Sequence, residues 1–244
     1  KARKSGPTLG RCDKQDRMTS LITYHENTDR FRAALQFTEA ETCLTALLVE
    51  KDYYCTLILN DFRNLFDQGL IFKGGTCLSK VYADFYRLSE DLDFAISVEA
   101  GSPPSIRRAK IDPVKSVFAR LPERYSCIAV SEPLSGHRSS TQYIGQYSYP
   151  SLLSGQKEHI KVEVSLREPI LEPIETRPAN TSLLCPLKKS RAIAPFPIAV
   201  MTLRETYSEK LRAALTRMDP AIRDFFDIDY AITKGIIRPF DSQL

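Results

Sequence analysis

Apolar residues recur at every third or fourth position in the first third of the chain. This spacing predicts a helix from Asp29, then a long helical stretch over 39–66 that contains no Gly or Pro and is interrupted near 42–45. The sequence at 67–69 ends in Gly69, which predicts a glycine cap. An amphipathic helical N-terminal segment is therefore expected before any strand.

Other parts of the chain alternate apolar and polar residues, which is typical of strands. The clearest case is 158–166, and weaker strand patterns cover 125–130 and 141–149. We expect a polar loop at 131–140 and an irregular, proline-rich crossing at 167–198. Helical spacing returns at 106–121, with a bend near Pro113, at 78–86, at 202–215, and after Asp219-Pro220.

This order of elements predicts an α/β (α+β) fold with three regions. A flexible basic arm is expected at 1–20, an α/β core at 21–175 and a C-terminal helical region at 176–244. The arm supplies the excess positive charge of a chain whose net charge is +4.

The candidate chemistry lies in the stretch 72–97. A short apolar run ends at Lys73 and is followed by Gly74 and Gly75, and then by the hydroxyls of Thr76 and Ser79. Paired glycines allow a sharp turn and a close approach of backbone N–H groups to a phosphate. These five residues are our predicted nucleotide-binding set, although an ordinary strand–turn–helix explains the same short pattern.

Two aspartates follow the glycine turn. Residues two apart on a strand share a face, so Asp91 and Asp93 are expected to point the same way, with Leu92 and Phe94 on the opposite face. Adjacent carboxylates repel each other unless a cation lies between them, and Mg²⁺ prefers oxygen ligands of this kind. The pattern predicts a Mg²⁺ (or Mn²⁺) site, while a solvated acidic turn is the simpler alternative.

Taken together, these motifs resemble a known family. KGGTCLSK at 73–80, followed by RLSEDLDF at 87–94, is similar to the AbiEii/AbiGii-type nucleotidyltransferase toxins of the polymerase-β-like superfamily. EKDYY at 50–54, EKLRA at 209–213 and RDFFD at 223–227 resemble further family segments in the same order.

The resemblance implies a polymerase-β-like core with a mixed sheet between an N-terminal helical segment and a C-terminal helical region. It implies an NTP substrate, with Lys73 or Lys210 neutralising phosphate charge and Asp224 or Asp227 activating the acceptor or completing the site. Glu163 is a candidate third metal ligand on a neighbouring strand, or else an exposed residue paired with Lys161.

The family resemblance also implies a biological role. It suggests a toxin of a toxin–antitoxin or phage-defence pair, with a cognate antitoxin protein as partner. The implied reaction adds nucleotides to an RNA acceptor, the 3′ end of tRNA, and so blocks translation.

Two other functions fit the same motifs. One is a kinase-like phosphotransferase that acts on an antitoxin protein, with Ser89 as a regulatory phosphate acceptor. The other is a non-catalytic RNA- or protein-binding module on the same fold. The kinase-like enzyme would transfer a γ-phosphate to a protein. The non-catalytic module would keep its toxicity when Asp93 is replaced by alanine.

Charge and cysteine content narrow the setting. Two basic clusters are candidates for contact with a polyanion such as RNA, or are simply solvated surface: Arg107, Arg108, Lys110 and Lys115, and Lys188, Lys189 and Arg191. The six scattered cysteines include no C-x-x-C pair, which favours buried free thiols and a cytoplasmic protein. No apolar run approaches a membrane span, so we expect no membrane partner.

Overall fold

The computed structural model describes residues 24–167, 169–219 and 221–238, so the predicted arm at 1–20 lies outside the description. Its helices are α1 (Thr28–Glu41), α2 (Ala46–Asp61), α3 (Arg63–Phe66), α4 (Gly74–Cys77), α5 (Pro104–Arg124), α6 (Leu203–Thr216) and α7 (Ile222–Thr233). The predicted interruption near 42–45 separates α1 from α2. Gly69 has a φ of +91°, as its predicted capping role requires.

The main sheet is mixed and has seven strands in the described part of the chain. Its strands are β1 (Leu70–Lys73), β2 (Leu92–Ile96), β3 (Ala129–His137), β4 (Gln142–Pro150), β5 (Lys157–Ser165), β6 (Glu175–Ala179) and β9 (Phe196–Val200), while β7 (Leu184–Cys185) and β8 (Ser190–Arg191) form a separate pair. The spatial order is β3-β4-β5-β2-β1-β9-β6. The central strand β2 runs antiparallel to β1 and parallel to β5. A mixed α/β fold with helices towards both ends of the chain is therefore confirmed.

Two regions that were expected to be irregular are strands. β3 runs to His137, through the predicted loop, because its polar residues lie on an exposed edge strand and two register shifts between 130 and 135 accommodate Pro133. β6 lies within the proline-rich crossing and β9 begins there, with Pro178 facing Pro197 across the pair. The sheet thus extends past the predicted boundary at 175 and ends with β9 at Val200.

The segment after the glycines is shorter and less regular than the predicted helix at 78–86. α4 leads into a π-helical turn at Leu78–Tyr82, and the chain then bends because Asp84 and Phe85 take positive φ values of 41° and 60°. Such non-glycine residues are costly and mark a sharp, tightly determined bend. This bend redirects the chain towards Asp91 and β2.

The core fixes the orientation of β2. Phe94 is buried and its ring lies 5.7 Å from that of Phe62 and 5.4 Å from that of Phe72, between centroids. Leu92 is fully buried on the same face. Because strand side chains alternate, Asp93 is directed to the opposite face.

Among the described residues, no helix combines the length and apolar character that a membrane crossing requires.

Candidate active site

A cavity of about 670 Å³ opens where the sheet meets the C-terminal helices. Its floor is acidic and comes from Asp91 and Asp93 at the start of β2 and from Glu163 on β5. Lys73, Gly74 and Gly75 line it from the glycine turn, and Lys210 and Asp224 line it from α6 and α7. Eight of the eleven predicted site residues, Glu163 included, thus meet in one cavity.

Asp93 lies at the centre of this arrangement. In the sheet register it is opposite Lys73 on β1 and opposite Glu163 on β5. Burial, reinforced by the carboxylates of Glu163 and Asp91, raises the pKa of Asp93 from 3.8 to about 6. The carboxylate is therefore held among other negative charges at neutral pH, and a cation would relieve the repulsion.

Gly74 explains why the turn carries a glycine. Its φ is +79°, and a Cβ placed there would lie 2.5 Å from Oδ2 of Asp93. Any side chain would therefore both strain the backbone and collide with the carboxylate. The glycine lets the turn approach Asp93 directly and leaves the carboxylate open to the cavity.

Thr76 and Ser79 have a different place from the one predicted. Both side chains are buried, and neither lines the cavity. The Thr76 hydroxyl donates to the backbone carbonyl of Asp91, and the Ser79 hydroxyl donates to that of Arg87. These two hydrogen bonds hold the loop that carries Asp91. The hydroxyls therefore face this loop and not the cavity.

Glu163 is already engaged by neighbouring side chains. Gln142 Nε2 donates to its Oε1, and Lys161 Nζ lies 2.9 Å from its Oε2. Burial alone would lower the pKa of Lys161, but the hydrogen bond to Glu163 and the charges of Glu163, Asp91 and Asp93 raise it. Lys161 thus acts as an internal cation for the acidic floor.

The donor set fits a divalent ion that is only partly enclosed by protein. Within the described ranges, no group of three His, Cys, Asp or Glu side chains converges closely enough to hold a metal. The carboxylates of Asp91 and Asp93 can supply two oxygen ligands, with the open cavity beside them. Mg²⁺ is commonly held in this way, by one or two carboxylates together with water and substrate phosphates.

α6 reaches across the cavity to the sheet. Lys73 Nζ lies 2.5 Å from Oε2 of Glu209, so the end of β1 is bridged to α6 by an ion pair. Thr202 caps α6 by accepting a hydrogen bond from the Glu205 backbone N–H, which fixes where the helix begins. This cap and this bridge orient the helix that carries Lys210.

The C-terminal motif residues form a buried ionic cluster. Lys210 Nζ lies 2.6 Å from Oδ2 of Asp227 and 3.3 Å from Oδ1 of Asp224. Asp227 is fully buried and also accepts hydrogen bonds from Tyr86 and, at both carboxylate oxygens, from Arg87. Burial would raise the pKa of Asp227, but the hydrogen bonds from Arg87, Lys210 and Tyr86 lower it.

These contacts divide the predicted catalytic residues into two groups. Asp91, Asp93, Lys210 and Asp224 line the cavity, whereas Asp227 does not. Asp227 joins α7 to the segment at 86–87, which precedes Asp91. Its geometry is that of a positioning residue.

The family assignment agrees with this geometry. Residues 57–243 match the family model described as nucleotidyl transferase AbiEii toxin, type IV toxin–antitoxin system. The chain belongs to the AbiEii family.

Solved structures show a weaker similarity to this AbiEii member. The crystal structure of JHP933 from Helicobacter pylori and that of a second H. pylori protein, described as a candidate nucleotidyltransferase, are each 16% identical with a TM-score of 0.48. Each alignment covers 78% of this chain, and 66% and 68% of the respective H. pylori chains, so the chain spans about two thirds of their length. No curated protein matches the chain.

Sequence reasoning missed several residues of this AbiEii site. Arg87 pairs with buried Asp227 and is the first residue of the RLSEDLDF motif, four positions before Asp91. Lys161, expected only as a surface partner of Glu163, also interacts with the charges of Asp91 and Asp93. Their charge and position are signals that could have found them. Asp52, in the family-like segment EKDYY, does not line the cavity; it is buried and lies 2.6 Å from buried Lys80.

Proposed function

We propose that this AbiEii member is a Mg²⁺- or Mn²⁺-dependent enzyme that transfers nucleotides from NTP to an RNA acceptor. The family's description as nucleotidyl transferase toxins supports the reaction class. The observation that carries the proposal is the paired carboxylates of Asp91 and Asp93 in an open cavity, with Gly74 packed against Asp93. The acceptor, the 3′ end of tRNA, follows from the family resemblance.

Each residue at the cavity floor has a role in this proposal. Asp91 and Asp93 hold the metal, and the backbone of Gly74 and Gly75 allows the triphosphate to approach. Lys73 neutralises phosphate charge after leaving Glu209. When bound, the metal would supply charge neutralisation at the phosphates, which is the main requirement of phosphoryl and nucleotidyl transfer.

The C-terminal residues complete the cavity from the other side. Lys210 lines it while Asp224 and Asp227 hold its ammonium group in place. The fixed positive charge faces the space that we assign to the nucleotide. In this assignment Asp224 orients Lys210, and Asp227 holds α7 against the loop before Asp91.

The first experiment tests the two aspartates. Wild-type protein and the variants Asp91→Asn and Asp93→Asn are incubated with Mg²⁺, total tRNA and each of the four NTPs carrying an α-label. We expect label on tRNA with the wild type and a loss of about 100-fold or more in each variant, because removal of a metal ligand costs several kcal/mol of transition-state stabilisation.

Asp112→Asn is the matched control, since Asp112 is an exposed aspartate on α5 outside the cavity. Its transfer rate should equal that of the wild type. Retained transfer in both Asp91→Asn and Asp93→Asn would refute the proposed site. Labelling of a protein by γ-labelled NTP, without α-label on RNA, would instead support the kinase-like function.

The biological setting is proposed from the family alone. The type IV toxin–antitoxin description implies a cognate antitoxin. We propose that expression of this chain arrests growth by blocking translation in the cytoplasm and that the antitoxin relieves the arrest. The same pair would serve in phage defence.

A further inference from the structure

Five exposed arginine side chains line the cavity that holds the acidic floor: Arg138, Arg167, Arg212, Arg217 and Arg223. They are separated by up to 85 positions in the sequence and belong to no basic cluster of the sequence. Only the tertiary fold brings them to one opening. The cavity therefore has a negative floor and a positive margin, which we call the arginine rim.

The arginine rim has two sides. Arg138 lies at the turn between β3 and β4, and Arg167 follows β5, so both belong to the sheet side. Arg212 lies on α6, Arg217 ends that helix, and Arg223 lies on α7. A ligand that enters the cavity therefore meets guanidinium groups from two separate parts of the fold.

Three of these side chains are available for an incoming ligand. In the described part of the chain, Arg138 and Arg223 have no side-chain hydrogen bond or ion pair, and Arg167 has a single long contact of 3.4 Å to Gln142. Arg217 is engaged with Asp224 at 2.7 Å. The free guanidinium groups lie on both sides of the opening.

The backbone of the turn that carries Arg138 is strained. Arg138, Ser139 and Ser140 take successive φ values of 48°, 57° and 64°, which non-glycine residues rarely adopt. Arg107 stabilises this turn by donating to the Ser139 carbonyl at 2.9 Å. The surrounding structure thus offsets a local cost of about 1–3 kcal/mol per residue to hold the turn in place.

The basic clusters identified in the sequence lie elsewhere. Arg107 and Lys110 donate to backbone carbonyls, and the Lys115 ammonium lies 4.8 Å from the centre of the Tyr143 ring. Arg191 is paired with Asp84. None of the seven residues in those clusters lines the cavity.

We infer that the arginine rim binds the phosphate backbone of the RNA acceptor while the 3′ end of the strand extends to the carboxylate floor. This inference rests on the proposed function. The 3′ hydroxyl is uncharged and can approach the acidic floor, whereas the phosphates behind it meet the guanidinium groups. Arginine suits this role because its planar donors bind phosphate oxygens in pairs.

The test compares two triple variants with the same change in charge. The rim variant is Arg138→Gln/Arg167→Gln/Arg223→Gln, which leaves the Arg217–Asp224 pair intact. The control is Arg30→Gln/Arg32→Gln/Arg120→Gln, three exposed arginines outside the cavity and outside both basic clusters. Binding of total tRNA is measured by fluorescence anisotropy at several salt concentrations, and binding of Mn²⁺ with a non-hydrolysable NTP is measured separately.

We expect the rim variant to bind tRNA at least tenfold more weakly. Its plot of log affinity against log salt concentration should be shallower by about 2, because each lost single-stranded phosphate contact removes about 0.7 from the slope. Binding of Mn²⁺ and nucleotide should be unchanged, as should all properties of the control. Equal losses in the two variants, or an unchanged slope in the rim variant, would overturn the inference.

The outcome also separates this inference from the proposed function. If the wild type transfers nucleotides to RNA and the rim variant binds RNA normally, the role of the arginine rim in RNA binding is refuted. The proposed function is then unaffected. If the wild type transfers nothing but binds tRNA through the rim, the function is wrong and the surface stands.

Discussion

The Asp93 carboxylate is costly for the folded protein when no cation is bound. It lies among Asp91 and Glu163, and its pKa is raised from 3.8 to about 6 by burial and by those two charges. At neutral pH the native state must hold it ionised, at a cost of roughly 2–3 kcal/mol from about 1.4 kcal/mol per pKa unit. If Asp93 holds a metal, as we propose, function and stability are opposed at this residue.

Asp93→Asn should make the metal-free protein more stable at neutral pH. The folded-state pKa is raised, so the destabilisation is absent below about pH 4, grows as the carboxyl ionises, and is complete above about pH 6. We expect the free energy of unfolding of the variant to exceed that of the wild type by roughly 1–3 kcal/mol at pH 7.5 and to match it near pH 4. Urea denaturation in the presence of a chelator measures this difference.

The exposed aspartate Asp112 provides the comparison. Asp112→Asn should leave the free energy of unfolding within about 0.5 kcal/mol of the wild type at every pH. If Asp93→Asn were less stable than the wild type at pH 7.5, Asp93 would be a stabilising ion-pair partner, and our account of the acidic floor would be wrong.

Glu163 and Lys161 show a second balance at the residue scale. The Lys161 ammonium forms an ion pair with Glu163 and also interacts electrostatically with Asp91 and Asp93. It offsets part of the negative charge that a metal would otherwise neutralise. A role for Glu163 as metal ligand stays a prediction, and it would require the carboxylate to exchange its contacts with Lys161 and Gln142.

At the scale of elements, α7 is joined to the loop before the site by one buried carboxylate. Asp227 binds Arg87 and Lys210, and the small apolar cluster of Leu78, Tyr207 and Ala231 lies beside this contact. Tyr86 stacks on Tyr230 with ring centres 4.2 Å apart. These contacts tie the C-terminal helix to the chain segment that leads to Asp91.

Asp227→Asn should destabilise the protein strongly. It would leave the charges of Arg87 and Lys210 without their buried partner, and removal of one member of such a buried group typically costs about 3–5 kcal/mol. Asp229→Asn, an exposed substitution two residues along the same helix, should change the free energy of unfolding by less than about 0.5 kcal/mol. Urea denaturation compares the two variants.

A positioning role for Asp227 makes a further distinction. At a temperature where Asp227→Asn remains folded, the loop before Asp91 should be less ordered. The transfer rate should therefore fall, but by less than the hundredfold expected for Asp91 or Asp93. A variant that is as stable as the wild type yet inactive would show instead that Asp227 takes part in the chemistry.

Periodicity predicted the elements whose side chains follow a simple burial pattern. β5 and the face of β2 that carries Asp93 were found because one side is apolar and the other is polar. β3 was missed because an exposed edge strand has no apolar side to reveal it. The edge strand β6 and its neighbour β9 were missed because the prolines in them, Pro178 and Pro197, resemble loop residues.

Local motifs predicted most residues of the site, but they did not predict where each side chain points. The spacing of Thr76 and Ser79 after the glycines suggested phosphate binding, yet their hydroxyls bond to the loop carbonyls of Arg87 and Asp91. Nothing in the sequence distinguishes these two uses, because both need a hydroxyl at the same position. The arginine rim was also beyond reach, since only the fold brings Arg138 and Arg223 to one opening.

At the scale of the whole molecule, the cavity exists because the sheet and the C-terminal helices meet across it. The contact between β1 and α6 is an ion pair in which Lys73 Nζ lies within 2.8 Å of both carboxylate oxygens of Glu209. Both side chains are only partly buried, so the pair contributes little to stability, about 0–1 kcal/mol. Its more important effect is on the availability of Lys73.

Glu209→Gln should therefore tighten nucleotide binding. In the unliganded protein Glu209 holds the cation that we assign to the triphosphate, and an uncharged amide would release it. We expect the affinity for Mn²⁺ with a non-hydrolysable NTP to rise about two- to tenfold, which corresponds to roughly 0.4–1.4 kcal/mol. Lys73→Gln should weaken the same binding. The double variant Glu209→Gln/Lys73→Gln should bind like Lys73→Gln alone, because Glu209 acts through the lysine.

Isothermal titration calorimetry with analogues of all four NTPs measures each affinity. A loss of affinity in Glu209→Gln as large as that in Lys73→Gln would show that Glu209 binds the nucleotide itself, and the assignment of competing partners for Lys73 would fail.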